Sequence, residues 1–380
     1  MPDPLYKLVI MGNASSVQKT EVENTLKEAL SFFSLSLGTD IHLLDSPADF
    51  VPEETIPSVV AFFCASGVTA EPLVAALNSG VPIIPVLSDL KDTNLVPSEI
   101  SALNALAYNS GGAERLVSAM LECLGLLPKQ RRIFVSYRRT EARAAAIQLH
   151  EELSARCFDV FLDTHDIRPS EDFQMVLWHK LSDSDVLVML DTPTYFDSRW
   201  TSQEFGRALA KGISILRIGW PSCPASPRIS TTTRIDLEAT DFDASMEQIV
   251  SKARIDEIFK TIERLRSRSH ATRWVNLHSH IRNSLLQIGA RVLGIGTLNA
   301  VHAELPVGKA MTFYPSVGVP TSDILHSVVK CSKTAPALVY DPVGLHPEWL
   351  KHLDWLNENI QCARYAKSSS LAWDIPGWEV

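Results

Sequence analysis

A tryptophan and a glutamate four residues apart, Trp200 and Glu204, form the pair in this sequence whose types and spacing best fit chemistry. If a helix has begun by Trp200, the indole and the carboxylate lie on one helical face, about one turn apart. If Trp200 still belongs to the preceding loop, Ser202 is the natural N-cap and Glu204 falls in the first turn. In either case the carboxylate can point into a cleft and stabilise positive charge in a transition state. The alternative is that Glu204 only favours the helix, because the macrodipole favours acidic residues in a first turn.

A second polar cluster follows the apolar run that begins at Ile133, which is typical of a buried parallel strand. Open α/β sheets bind their ligands at the carboxyl ends of the strands. The residues expected to emerge at that edge are Ser136, Tyr137, Arg138 and Arg139. The alternative is that Tyr137 caps the core and that the arginines are solvated.

The elements that must position these residues alternate between strand and helix. In this segment we predict strands at 133–137, 158–162, 186–190 and 213–218, with helices at 141–156, through 176–181 and at 202–211. An earlier segment repeats the order, with strands at 8–12, 59–64, 81–87 and 105–108 and helices at 19–33, 71–78 and 112–124. The local match of AALNSGVPIIPV with RALAKGISILRI places Gly80 over Gly212 and favours a duplication, although any two α/β layers look similar at this level. Such alternation predicts right-handed crossovers and parallel sheets covered on both faces.

Composition limits the class of protein. A chain of 380 residues predicts two or three domains. The formal net charge of −9 argues against direct nucleic-acid binding. The six scattered cysteines form no C-x-x-C motif, which indicates reduced thiols rather than a disulfide framework or a metal site. No signal peptide stands at the N-terminus, and no apolar run reaches the ~20 residues that span a bilayer, so we expect a cytoplasmic protein that does not enter the membrane.

Three blocks in order carry a family resemblance. They are IFVSYRR at 133–139, DVFLD at 159–163 and SDSDVLVMLDTPTYFDSRWTSQE at 182–204. Together they resemble the signature blocks of Toll/interleukin-1 receptor (TIR) domains, and most of all the bacterial members and the animal enzyme that cleaves NAD+ in axon degeneration. The resemblance covers about a third of the chain and implies a flavodoxin-like parallel sheet.

The resemblance implies NAD+ as the substrate, with no separate cofactor and no metal, and Glu204 as the catalytic residue. The residues that it places against the substrate are Ser136, Tyr137, Arg138, Arg139, Asp163 and Trp200. Cleavage between ribose and nicotinamide develops positive charge on the sugar, while nicotinamide leaves as a neutral molecule. One preorganised carboxylate can therefore serve where ordinary glycosidases need two. The alternatives are a non-enzymatic TIR scaffold or adaptor and a cyclase that makes a cyclic ADP-ribose signal.

The loop at 163–173 is the segment through which TIR domains contact a neighbouring copy. The resemblance implies that Asp166, Arg168 and Asp172 belong to such an assembly surface, and that the protein forms a homo-oligomer or filament that activates it. The family usually has a glycine in this loop where Arg168-Pro169-Ser170 stand here, which puts the loop conformation in question. The likeness to bacterial members suggests an anti-phage immune effector.

We predict three domains, at 1–125, 129–255 and 256–380. The first is a degenerate TIR-like copy, because Pro72 stands where Glu204 stands and Gly12 falls near the position of Tyr137. The last is expected to be a smaller α/β domain that binds a trigger or partner, and a charged helix predicted at 254–269 runs across its first boundary. Its predicted strands lie at 310–314 and 337–340, and its predicted helices at 322–329 and 347–358.

Overall fold

The structure is a computed structural model that describes residues 4–45, 50–53, 56–162, 173–221, 223, 229, 232–243, 249–306, 308–332 and 334–378. The chain forms two compact units, residues 1–129 with 256–268 and residues 130–255 with 269–380. The predicted assembly loop falls outside the described residues, and with it the sites predicted at Asp163, Asp166, Arg168 and Asp172. The domain boundaries drawn from the sequence stay predictions.

The first unit contains a parallel sheet with the strand order 2-1-3-4-5. Its strands are β1 (Tyr6–Gly12), β2 (Ile41–Asp45), β3 (Ser58–Phe63), β4 (Ile83–Leu87) and β5 (Leu106–Ala107). Its helices are α1 (Ser16–Phe32), α2 (Val74–Asn78) and α3 (Tyr108–Cys123). Apolar runs form the central strands, and every residue of β3 is buried. Helix α1 begins earlier than we predicted because Ser15 and Gln18 form a capping box.

The end of β1 cannot carry a side chain. Gly12 has φ +80°, and a Cβ added there would lie 2.3 Å from the carbonyl oxygen of Phe63. Glu71 and Pro72, near the position predicted to correspond to Glu204, are both exposed in a short 3-10 turn. Neither of these two positions holds a buried carboxylate, and the lack of chemistry in the first unit stays a prediction from the sequence.

The second unit also contains a parallel sheet. When its strands are numbered along the chain within this unit, they follow the same order, 2-1-3-4-5. Its strands are β6 (Arg132–Ser136), β7 (Asp159–Leu162), β8 (Val186–Asp191), β9 (Ser214–Gly219) and β10 (Thr233–Asp236). Its helices are α4 (Arg139–Ser154), α5 (Phe173–Asp183) and α6 (Arg199–Ala210). The predicted flavodoxin-like parallel fold is confirmed.

A single helix of 36 residues, α7 (Lys252–Gln287), follows this sheet. The sequence predicted a helix that ended near residue 269, because the composition becomes rich in histidine and tryptophan after that point. The helix continues because it contains neither proline nor glycine, and it ends just before Gly289, whose φ is +74°. Its residues 256–268 belong to the first unit, and its residues from 269 onward belong to the second.

The second unit also contains a mixed sheet in the order β11-β12-β13-β14-β15. Its strands are β11 (Arg291–Ile295), β12 (Val301–Glu304), β13 (Ala310–Ser316), β14 (Ala337–Tyr340) and β15 (Arg364–Lys367), and its helices are α8 (Ser322–Cys331), α9 (Pro347–Asn359) and α10 (Leu371–Asp374). The first three strands pair antiparallel and the last three pair parallel. The elements predicted for this region agree with β13, β14, α8 and α9. The sequence analysis missed β11, β12 and β15, since β11 is mostly exposed and β12 and β15 have only four residues each.

Arg273 of α7 contacts the end of α5. Its guanidinium donates hydrogen bonds to the carbonyl oxygens of Ser184 (2.6 Å) and Ser182 (3.0 Å) at the end of α5. Nearby, the amide of Val319 donates to Oδ1 of Asp183 over 2.8 Å.

No helix in the described ranges is long and apolar enough to cross a membrane.

Candidate functional site

Helix α6 carries both residues of the tryptophan–glutamate pair. It begins at Arg199 after the N-cap Ser198, so Trp200 already lies in the first turn. The first of the two predicted arrangements is therefore correct, and the prediction of Ser202 as the N-cap is wrong, because Ser202 lies inside the helix. Glu204 lies in the second turn, where the macrodipole has little effect. Its side chain is nevertheless only 7% exposed, so the favourable dipole of a first turn does not explain this carboxylate.

The end of β6 and the start of α6 enclose one cleft of about 440 Å³. Its lining residues are Val135, Ser136, Tyr137, Arg138, Arg139, Thr140, Ser198, Trp200, Thr201 and Glu204. The structure thus brings together Glu204 and the residues predicted to contact the substrate, except Asp163, which lies outside the described residues as the predicted assembly residues do. The volume falls within the usual range for sites that bind small molecules.

Three buried side chains form a hydrogen-bonded relay at the base of the cleft. The Ser136 hydroxyl donates to Oε2 of Glu204 over 2.5 Å, and the Tyr195 hydroxyl lies 2.6 Å from Oγ of Ser136. A serine hydroxyl has one proton, so Tyr195 is the donor to Ser136. Burial, and then the negative charge of Glu204, raise the pKa of Tyr195 well above its usual value, which keeps the phenol protonated as a donor.

The residues at the end of β6 differ in exposure. Tyr137 is buried, Arg138 is half-buried and Arg139 is exposed. Tyr137 therefore packs in the core and also lines the cleft, so the two roles weighed for it are compatible. Within the described part of the chain, the buried Nε of Arg138 has no hydrogen-bond partner. This guanidinium is placed to meet an anionic group in the cleft.

Sequence reasoning missed Tyr195 and Thr201. Tyr195 is fully buried in a short turn after β8, and the hydroxyl of Thr201 donates to its carbonyl oxygen. This bond fixes the first turn of α6 against the turn that holds Tyr195. One signal was available, because Tyr195 follows a strand predicted to be buried in the same sheet, at the edge where ligands bind.

Glu141 of α4 holds the segment between β8 and Tyr195. Its carboxylate accepts hydrogen bonds from the hydroxyl of Thr194 (2.8 Å) and from the amide of Thr194 (3.2 Å). The start of α4 is thereby tied to the segment that leads into the relay. No cluster of three or more metal-ligating side chains occurs among the residues that the structure describes.

The comparison with protein families agrees with this architecture. The TIR domain family model matches residues 133–250. One similar solved structure is the TIR domain of the Toll-related receptor TRR-2 from the lower metazoan Hydra magnipapillata, with 17% identity, a TM-score of 0.26 and coverage of 29% of this chain and 86% of that one. No curated protein matches the chain.

Two further solved structures have weaker likeness. One is the ligand-free, open structure of CD0873, a substrate-binding protein with adhesive properties from Clostridium difficile, with 14% identity, a TM-score of 0.20 and coverage of 85% of this chain and 94% of that one. The other is a conserved domain protein from Vibrio cholerae, with 12% identity, a TM-score of 0.19 and coverage of 85% and 98%. TM-scores this low establish no shared architecture.

The parallel sheet, its strand order and the family match together define the segment 133–250 as a TIR domain.

Proposed function

We propose that this protein is an NAD+ glycohydrolase, which releases nicotinamide from NAD+ with Glu204 as its catalytic residue. The observation that carries the proposal is the buried carboxylate of Glu204, held by the Ser136 hydroxyl inside a cleft that Trp200 also lines. A carboxylate is costly to bury, so a buried one that faces a cleft is a candidate for chemistry.

The reaction breaks the bond between C1′ of the ribose and the ring nitrogen of nicotinamide. The bonding electrons leave with nicotinamide, which becomes neutral, and positive charge develops on the ribose. The carboxylate of Glu204 stabilises that charge electrostatically. Water then adds to C1′ and loses a proton, which yields ADP-ribose. A hydrogen bond donated to a carboxylate favours its charged form, and this is the contribution of Ser136.

The rest of the cleft suits the remainder of NAD+. The Nε of Arg138, which has no partner among the described residues, can donate to the pyrophosphate. The indole of Trp200 is 46% exposed, so it offers a face at the mouth of the cleft for stacking on a ring. Asp163, also expected to contact NAD+, stays a prediction from the sequence.

Control of the activity forms the second part of the proposal. Assembly through the loop that contains Asp166, Arg168 and Asp172 switches the enzyme on, and a trigger or partner acts through residues 1–125 or 256–380. Depletion of NAD+ in the cytoplasm would then serve an immune function. The family match supports self-association as a common property of TIR domains.

The test is product analysis after the full-length protein is incubated with NAD+. We expect nicotinamide and ADP-ribose from the wild type and no nicotinamide from Glu204→Gln, whose fold should be intact because the change is isosteric. Glu151→Gln, at an exposed site on α4 outside the cleft, is the matched control and should retain wild-type activity.

Each other outcome decides against part of the proposal. Turnover by Glu204→Gln at the wild-type rate would remove Glu204 from the mechanism. A cyclic product in place of ADP-ribose would indicate a cyclase. No nicotinamide release from the wild type under any assembly condition would favour a scaffold.

A further inference from the structure

A second cavity, of about 330 Å³, lies between the two sheets of the second unit and is separate from the Glu204 cleft. Part of its wall comes from Ser316, Asp341 and Ser368. Each lies at the carboxyl end of one of the parallel strands β13, β14 and β15, or directly after it. The carboxyl edge of parallel strands is where open α/β sheets generally bind ligands.

Two cations, the half-buried Lys211 and the buried Arg273, line this cavity together with one carboxylate, Asp341. Nζ of Lys211, the C-cap of α6, lies 2.7 Å from Oδ2 of Asp341. Arg273 is 8% exposed, its hydrogen bonds go to carbonyl oxygens, and its charge also interacts with the carboxylates of Asp183, Asp185 and Asp341. Burial lowers the pKa of both Lys211 and Arg273, because desolvation penalises their charges. A second negative charge in the cavity would compensate this cost.

Ser316 supplies an independent signal. It is 3% exposed, and within the described ranges its hydroxyl has no hydrogen-bond partner. A buried hydroxyl without a partner has given up its hydrogen bonds to water with nothing in return, which costs stability. Ser316 lines the cavity, where a ligand could satisfy it.

The remaining polar wall is rich in neutral groups. Asn276, His280 and Asn283 of α7 contribute amide and imidazole groups. These groups both donate and accept hydrogen bonds, as sugar hydroxyls require. None of the described residues that line the cavity is Phe, Tyr or Trp, so it offers no large ring on which a nucleobase could stack.

We propose that this cavity binds a small phosphorylated sugar. The phosphate binds beside the cationic groups of Lys211 and Arg273. The sugar hydroxyls bind Ser316 and the amides of Asn276 and Asn283. This site does not depend on NAD+ cleavage at Glu204.

The experiment is calorimetric titration of the full-length protein with ribose 5-phosphate, and separately with ribose, inorganic phosphate and AMP. We expect saturable binding of ribose 5-phosphate that is at least tenfold tighter than binding of ribose or phosphate, and no gain for AMP. Glu204→Gln protein should bind ribose 5-phosphate as the wild type does, which separates this cavity from the TIR cleft.

Two variants test the contacts. Ser316→Ala should weaken binding about fivefold to tenfold without lowering the melting temperature, since its hydroxyl has no partner to lose among the described residues. Lys211→Met keeps the apolar stem and should weaken binding by about tenfold or more. The matched controls are Ser327→Ala and Lys330→Met on α8, which lie outside the cavity and should bind normally.

Several results would overturn the proposal. The first is absence of saturable binding of ribose 5-phosphate at about 1 mM. Binding of phosphate as tight as that of ribose 5-phosphate would indicate an adventitious ion only. Unchanged affinity in both Ser316→Ala and Lys211→Met, or loss of binding in Glu204→Gln, would place the ligand elsewhere.

Discussion

Oε2 of Glu204 accepts a 2.5 Å hydrogen bond from the hydroxyl of Ser136, a residue 68 positions earlier in the chain. The sheet explains this proximity. Strand β6 ends at Ser136 beside β8, and the chain that leaves β8 returns through Tyr195 into α6. The carboxylate is thus held between two elements that the same sheet positions.

Removal of this relay should lower the rate of NAD+ cleavage and leave binding nearly intact. We expect Ser136→Ala to reduce kcat about tenfold to a hundredfold, because Glu204 then loses the hydrogen bond that the Ser136 hydroxyl donates to it. Tyr195→Phe should have a smaller effect, about threefold to tenfold, because Tyr195 acts through Ser136 as a positioning residue.

Steady-state kinetics across pH measures the relay. Loss of a donor disfavours the ionised carboxylate, so the acid limb of the rate profile should move to higher pH in both variants. Tyr365→Phe, in β15 and outside the cleft, is the control. Wild-type kcat and an unshifted profile in both variants would contradict the assigned role of the relay.

Trp200 should matter for substrate binding more than for the fold. Its indole is 46% exposed, so Trp200→Ala costs less stability than loss of a core tryptophan would. Loss of stacking should raise KM about threefold to tenfold. Trp200→Phe keeps an aromatic ring, so its KM should lie between those of Trp200→Ala and the wild type. Kinetics and a melting curve check both statements, with Trp373→Ala, at an 86% exposed position, as the control. A folded Trp200→Ala protein with unchanged kinetics would show that the W-x-x-x-E spacing is coincidental.

Activity should rise faster than linearly with protein concentration. If assembly completes the cleft, the fraction of active enzyme grows with occupancy of the interface. Arg168→Glu should blunt this rise, because charged groups set the register between subunits. Initial rates beside light scattering measure it, with Arg143→Glu, at an exposed site on α4, as the control. A rate strictly proportional to concentration, from a species that stays monomeric, would rule out assembly control.

The stability of the second unit should fall below neutral pH through His179. Burial, followed by the charge of the neighbouring His346, lowers the pKa of His179 from 6.5 to about 4, and its Nδ1 accepts a 3.1 Å hydrogen bond from the His346 amide. The unfolded chain therefore binds a proton at a pH where the folded protein does not. The stability is fully present above about pH 6.5 and is lost as pH falls towards about 4.

Urea unfolding at about pH 7.5 and about pH 5 tests this linkage. His179→Gln should reduce the difference in unfolding free energy between the two pH values by about 1–2 kcal/mol, after allowance for partial solvent screening. His326→Gln, at an exposed site on α8, should keep the wild-type difference. An equal pH dependence in His179→Gln and the wild type would show that another group is responsible.

The sequence alone predicted the parts of the site that lie in continuous segments. An apolar run that ends in polar residues predicted Ser136 to Arg139 at the edge of a sheet, and the spacing of Trp200 and Glu204 predicted one face of α6. Tyr195 was not predicted as a site residue because its role depends on the strand order of the sheet. That order places β8 beside β6, although β7 lies between them in the chain. The second cavity was not predicted either, because its wall is formed by residues far apart in the chain, such as Lys211 at the end of α6 and Ser316 of β13.

The length of α7 affects the order in which the two units can be completed as the chain is synthesised. Arg266 is fully buried. Its guanidinium donates hydrogen bonds to Oε1 of Glu122 (2.7 Å) and to the carbonyl oxygen of Pro128 (3.0 Å). Residues 256–268 are synthesised after the whole of 130–255, yet they complete the unit that begins at the N-terminus. During synthesis on the ribosome, the first unit therefore cannot be completed until residues 256–268 emerge, after the whole TIR segment. A nascent chain that stops at residue 255 holds a finished TIR sequence and an unfinished neighbour.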